Sequence, residues 1–185
     1  MYKSFFIALL LISSMIHSFA QNSGVSVELH YPLMSANENN NYSDVSGLFG
    51  AAFQFQFTDH EVFNYGVEYK FDLNQSFQRY EGSPGSSFNF MMNQINGFGK
   101  VNIDALKKTK IYTNAGFVFY KYKDSQYQPG FTGFNIGGGL SYEFIEKFYA
   151  QISYNYIHAG LKQRQTGFVD VENFSALRMG IGFKI

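Results

Sequence analysis

The last ten residues of the chain alternate without a break. Leu177, Met179, Ile181, Phe183 and Ile185 fall on one side, and Ala176, Arg178, Gly180, Gly182 and Lys184 on the other. A period of two sends successive side chains to opposite faces, so this stretch suits a strand with one apolar and one polar face and not an amphipathic helix. The pattern recurs upstream. Val25, Val27, Leu29, Tyr31 and Leu33 alternate with Ser26, Glu28, His30 and Pro32. Phe49, Ala51, Phe53, Phe55 and Phe57 alternate with Gly50, Ala52, Gln54 and Gln56, and Tyr65, Val67, Tyr69, Phe71 and Leu73 with Gly66, Glu68, Lys70 and Asp72. Ala115, Phe117 and Phe119 oppose Asn114, Gly116 and Val118. Phe134, Ile136, Leu140, Tyr142 and Phe144 oppose Asn135, Gly137, Gly139, Ser141 and Glu143, and Phe148, Ala150, Ile152, Tyr154 and Tyr156 oppose Tyr149, Gln151, Ser153 and Asn155.

The fourth segment, about residues 88–103, is the least regular. One register turns Ile95, Gly97, Gly99, Val101 and Ile103 to the apolar side and leaves Gln94, Asn96 and Lys100 on the polar side. Phe98 then faces the polar side and must pack there as a plug. A bulge that shifts the face midway is the alternative. With this segment there are eight, each of roughly nine to fourteen residues, long enough to cross a bilayer as tilted strands. The breaks sort by parity. Long polar stretches follow segments one (about 35–46), three (about 74–88) and seven (about 160–171), with a modest one after segment five. The breaks after segments two, four and six are shorter, and include Thr58-Asp59-His60-Glu61 and Ile145-Glu146-Lys147. A soluble sandwich has no reason to sort its connections this way.

Residues 1–20 carry one cation, an apolar run from Phe5 to Ile16 and Ser18-Phe19-Ala20 before Gln21. That is the form of a secretory signal peptide, so the domain is expected over 21–185. Cysteine is absent, so packing and backbone pairing must hold an exported chain without disulfides. Formal net charge is zero, which gives no electrostatic footprint for nucleic acid. Mean hydropathy is −0.17. That argues against membrane helices but not against a membrane barrel, in which only alternate residues meet lipid.

The C-terminal stretch resembles the terminal signal of bacterial outer-membrane barrels. Arg178, Gly180, Phe183 and Ile185 stand in its four defined places, with Ile185 where an aromatic is usual. In that family the barrel assembly machinery reads this segment. Residues 22–185 as a whole resemble the small outer-membrane β-barrel domain proteins, whose members are porin-like, adhesin-like or structural. A strand in hydrocarbon cannot leave backbone groups unpaired, so the sheet must close. The expected fold is all-β, an eight-stranded antiparallel up-and-down transmembrane β-barrel with short periplasmic turns and longer outer loops. Tyr31, Tyr65, Tyr69, Tyr112, Tyr142, Tyr149 and Tyr156 are candidates for interfacial girdles.

Eight strands enclose a space that side chains fill. The polar face would place Glu28, Glu68, Lys70, Asp72, Lys100, Glu143, Arg178 and Lys184 there, with His30 beside them. Buried charges must pair, and Arg178 is expected to meet Glu143, Glu68 or Glu28. The expected role is structural or surface interaction through outward loops. The partners expected are outer-membrane lipid, the assembly machinery and an extracellular partner at the loops. The chain is expected to be monomeric and to need no cofactor or metal. A narrow transport or ligand-binding barrel is the second reading, and a lipid-modifying enzyme the third. Residues 156–163 resemble the seventh-strand motif of lipid A 3-O-deacylases, with His158 in the place of the catalytic His. Gly160 stands where the nucleophilic Ser is needed and Leu161 where Asn is needed, so the acyl nucleophile is missing.

Overall fold

A computed structural model describes residues 24–36, 43–58, 60–78, 86–103, 106, 108–122, 132–159 and 173–185. The expected signal peptide and the stretch 160–171 lie outside the described residues. Eight strands follow one another: β1 (Gly24–Ala36), β2 (Ser43–Gln56), β3 (Phe63–Gln78), β4 (Ser86–Asn102), β5 (Thr109–Tyr122), β6 (Thr132–Ile145), β7 (Phe148–Ala159) and β8 (Asn173–Lys184). Each pairs with its sequence neighbours, and β8 returns to β1, so the sheet is a closed barrel. The closing ladder is antiparallel and runs from Ser26↔Lys184 to Ala36↔Phe174. The Ile185 N–H extends it by donating to the Val25 carbonyl at 2.8 Å.

The barrel is apolar outside and polar inside. Phe117 is 66% exposed and Ile181 61%, in a wall that also exposes Phe53, Ile95, Ile136 and Ile185. Inside, Lys70 and Asp72 are fully buried. An apolar exterior this continuous is unstable in water and stable in lipid. The apolar run from Leu177 to Ile185 measures about 30 Å along the strand. Tilted as barrel strands are, it covers roughly the 25 Å apolar band of an outer-membrane barrel.

The expected segment boundaries are corrected at one end. β1 and β2 extend into the stretch read as a loop over 35–46, and β3 and β4 into that read as a loop over 74–88. The apolar alternation marks only the part of a strand that meets lipid. Backbone pairing continues beyond it, where an outward Gln75 or Asn89 is as good as a Phe. β4 follows the unbulged register: its ladders to β3 and β5 are uninterrupted, and Phe98 is buried inside. The irregularities lie instead at Gly47/Phe49 and Glu143/Ile145. The second adjoins the tight β6–β7 turn, where Lys147 takes φ 72°. Two of the girdle tyrosines are also corrected. Tyr112 and Tyr149 are 0% and 1% exposed and point into the lumen. Both lie in strand register with inward residues, and period two fixes their face more firmly than residue type does.

Candidate functional site

Inward-facing glycines shape the lumen. His30, Gly50 and Asp72 are register partners across β1, β2 and β3. With no side chain on the middle strand, His30 Nε2 reaches Asp72 Oδ1 at 2.7 Å. The same device recurs twice. Asn96 and Asn135 flank Gly116, and Asn135 Nδ2 donates to Asn96 Oδ1 at 2.8 Å. Asn114 and Asn155 flank Gly137, and Asn155 Nδ2 donates to Asn114 Oδ1 at 2.7 Å. A Cβ on Gly137 would fall onto the Asn155 amide and 2.6 Å from the Tyr154 carbonyl oxygen.

Two charged clusters hang on this frame. In the first, Arg178 Nη2 donates to Asp72 Oδ2 at 2.6 Å, its Nε lies 3.2 Å from the same oxygen, and Nη1 donates to Asn155 Oδ1 at 2.8 Å. Asp72 also accepts from Gln94 Nε2 at 3.2 Å, and His30 Nδ1 lies 3.3 Å from Glu28 Oε1. In the second, Glu68 accepts from Lys70 Nζ (3.0 Å), Tyr112 Oη (2.8 Å), Gln54 Nε2 (2.7 Å) and Asn96 Nδ2 (3.0 Å). Lys100 Nζ donates to Gln54 Oε1 at 2.7 Å and lies 5.3 and 5.0 Å from the Phe98 and Tyr149 ring centres. The asparagine bonds join the clusters: Glu68 to Asn96, Asn135, Asn155 and so to Arg178. Charge-assisted bonds of this kind in a water-poor interior are stronger than their solvent-exposed counterparts.

At the end of the barrel away from the two termini, the lumen turns apolar. Met92, Val118, Ile157 and Ala176 are fully buried there, and the Phe90 and Phe174 rings stack at 6.5 Å. At the opposite rim Lys184 meets Glu143, both about one-third exposed.

Of the charged residues read from the sequence, Glu28, Glu68, Lys70, Asp72, Lys100 and Arg178 thus lie together inside. Glu143 and Lys184 form a separate pair at the rim. The expected partner of Arg178 is corrected: it is Asp72, not Glu143, Glu68 or Glu28. Arg178 stands about 20 Å further along β8 than Lys184, which puts Glu143 out of its reach. Glu68 is taken by Lys70, two residues away on the same face of β3. The terminal-signal residues divide between the faces: Arg178 and Gly180 inward, Phe183 outward against Phe148 at 4.9 Å, and Ile185 outward and 71% exposed. Sequence reasoning missed the asparagine links. Their signal was the placing of Asn on the polar side of four consecutive segments, but pairing across a middle glycine depends on a register that one strand does not carry.

Among the described residues no three His, Cys, Asp or Glu side chains group as a metal site. His158 faces outward, 4.9 Å from the Phe134 ring, with Nδ1 2.7 Å from Asn173 Oδ1. Gly160 and Leu161 lie outside the described residues.

The sequence pattern of the outer membrane protein beta-barrel domain matches residues 6–184. No curated protein matches the chain in sequence. Among solved structures, the N-terminal β-barrel domain of Pseudomonas aeruginosa OprF is similar at 19% identity and a TM-score of 0.51, over 89% of this chain and 98% of that one. Neisserial surface protein A is similar at 14% identity and a TM-score of 0.53, over 88% and 97%. Ail of Yersinia pestis, solved in complex with the heparin analogue sucrose octasulfate, is similar at 16% identity and a TM-score of 0.50, over 89% and 98%. At these identities the three structures speak to the fold.

Proposed function

The chain belongs to the outer membrane protein beta-barrel domain family and lies in the bacterial outer membrane, and from that premise we propose a structural and surface-interaction role. The observation that carries this reading is the occupied lumen. The hydrogen-bonded clusters around Glu68 and Asp72 fill its middle, and the Met92, Val118 and Ile157 layer fills its outer part. A barrel of eight strands has little room beyond its side chains, so these layers leave no wide aqueous path.

In this reading the business end is the one where β1, β3, β5 and β7 finish. It carries the connections spanning 37–42, 79–85, 123–131 and 160–172, and it faces the cell exterior. The opposite end carries both termini and the short β6–β7 turn, and faces the periplasm. Residues 1–20 direct export, and Arg178, Gly180, Phe183 and Ile185 present the terminal strand to the assembly machinery. The barrel works as a monomer with its apolar wall against lipid, and it is not an enzyme. A barrel of this fold can present a ligand-binding surface, as the complex of Ail with a heparin analogue illustrates for that protein.

The test is electrical. Purified protein, shown to be folded by its heat-dependent gel mobility, is placed in planar bilayers. No steady single-channel current is expected. A steady current altered by Glu68→Gln or Arg178→Gln would favour the transport reading and sink this one.

A further inference from the structure

Three inward glycines, Gly50, Gly116 and Gly137, are each spanned by a direct side-chain hydrogen bond, and Gly180 is not. Gln151, Gly180 and His30 are register partners across β7, β8 and β1, the same arrangement as His30, Gly50 and Asp72. Across Gly180 no such bond forms. Both amide atoms of Gln151 and the Oε2 of Glu28 are buried and make no hydrogen bond within the protein, while His30 Nδ1 faces Glu28 Oε1 at 3.3 Å. Gln151 is 4% exposed and Glu28 1%. The Glu28 carboxylate hangs over the bare backbone between them, since a Cβ on Gly180 would lie 2.9 Å from Glu28 Oε1 and 2.8 Å from the His30 Cβ.

Buried polar groups left without partners are rare, and here three belong to Gln151 and Glu28, two inward residues on the strands that flank Gly180. The set includes a donor amide, an acceptor amide oxygen and a carboxylate oxygen. Together they match a molecule that both donates and accepts and is small enough to lie over a glycine. We propose that Gln151 and Glu28 Oε2, on either side of Gly180, hold a bridging water, which makes here the cross-strand link that a direct bond makes at Gly50, Gly116 and Gly137. A structural water typically holds about three such bonds. The site joins β7 to β1 across the closing strand, so its occupant belongs to the seam of the barrel.

Two measurements on the full folded protein test this. The first is the urea unfolding equilibrium of Gln151→Met in detergent or lipid, a change that keeps the volume and removes both amide atoms. A bridging water loses a partner in this variant, and the unfolding equilibrium should shift toward the unfolded state by roughly tenfold, the size of one hydrogen bond. If the amide atoms have no partner in the native protein, removing them leaves stability equal or higher, and the proposal fails. The second is a high-resolution experimental structure of the unaltered protein. Density for a water within hydrogen-bond distance of Glu28 Oε2 and Gln151 is expected. Direct Gln151–Glu28 contact would overturn the assignment, as would a stability that changes when sodium is exchanged for choline, which would point to a metal cation.

Discussion

Arg178 and Lys184 lie on the same inward face of β8, and each meets a carboxylate, yet the two pairs sit in different media. Arg178 is 1% exposed, binds Asp72 through two nitrogens and fixes Asn155 with a third. Lys184 meets Glu143 at the rim, where water reaches both. In the interior an ion has lost its hydration and depends on its protein partners. At the rim, water takes over whatever the partner gives up. The lesson is that a charge on the polar face of a barrel strand has no fixed worth; depth along the strand sets it.

The sharpest way to break this comparison is Arg178→Met. It leaves Asp72 buried with only His30 and Gln94 as named partners, and it takes the donor from Asn155 Oδ1. A loss of about 3–5 kcal/mol in urea unfolding of the folded barrel is expected, the range for stripping one member from a buried pair. The double variant Arg178→Met/Asp72→Leu should recover a large part of that loss, because no charge is then left unpaired. A single-variant loss under about 1 kcal/mol would mean that water enters the middle of the lumen, and the contrast with the rim would collapse.

A second comparison sets glycine against glycine. A methyl on Gly137 must push aside the Asn155 amide and crowd the Tyr154 carbonyl, whereas a methyl on outward Gly97 meets nothing closer than the Ala115 carbonyl oxygen at 4.0 Å. Gly137→Ala is expected to lower stability by about 1–3 kcal/mol, the usual range for overpacking. Gly97→Ala should change it by no more than about 0.5 kcal/mol, as for substitutions away from packed features. Equal effects would show that strand conformation, and not the cross-strand bond, is what these glycines serve.

The same contrast explains what could be read in the sequence. The face of most residues was legible, because period two is local: Glu68, Lys70 and Asp72 had to share a side. Phe98 stayed open between two registers, and the uninterrupted β4 ladders decide it. The closing of the sheet was legible too, from the hydrocarbon that the apolar faces required. Partners were not. Asp72 and Arg178 are 106 residues apart, and their meeting depends on the cumulative stagger of the strands between them. Tyr112 and Tyr149 show the complementary error. Their chemistry suggested an interface, while the pattern of their neighbours already placed them on the polar side. Strand ends were overlooked for a third reason: above the lipid the outward side chains have no apolar duty, so the ladder leaves no mark in composition.

The smallest effect expected is at the rim, and it is the one that gives the first comparison its scale. Glu143→Gln removes the charge that Lys184 meets but keeps the shape and an oxygen acceptor. Lys184 is then left beside an amide and water, with no dehydrated charge created. The stability change should fall between about 0 and 1 kcal/mol. It should shrink further as salt rises from about 0.05 to about 0.5 M, a range over which the screening length falls from above about 10 Å to well below it. The Arg178→Met loss should hold nearly constant over the same range, because mobile ions do not reach Asp72. Salt dependence therefore separates the two pairs even if their absolute energies in detergent differ from those in lipid. A Glu143→Gln loss as large as that of Arg178→Met, and insensitive to salt, would place the rim pair in the same dry interior and move the boundary of the lumen outward to the end of β8.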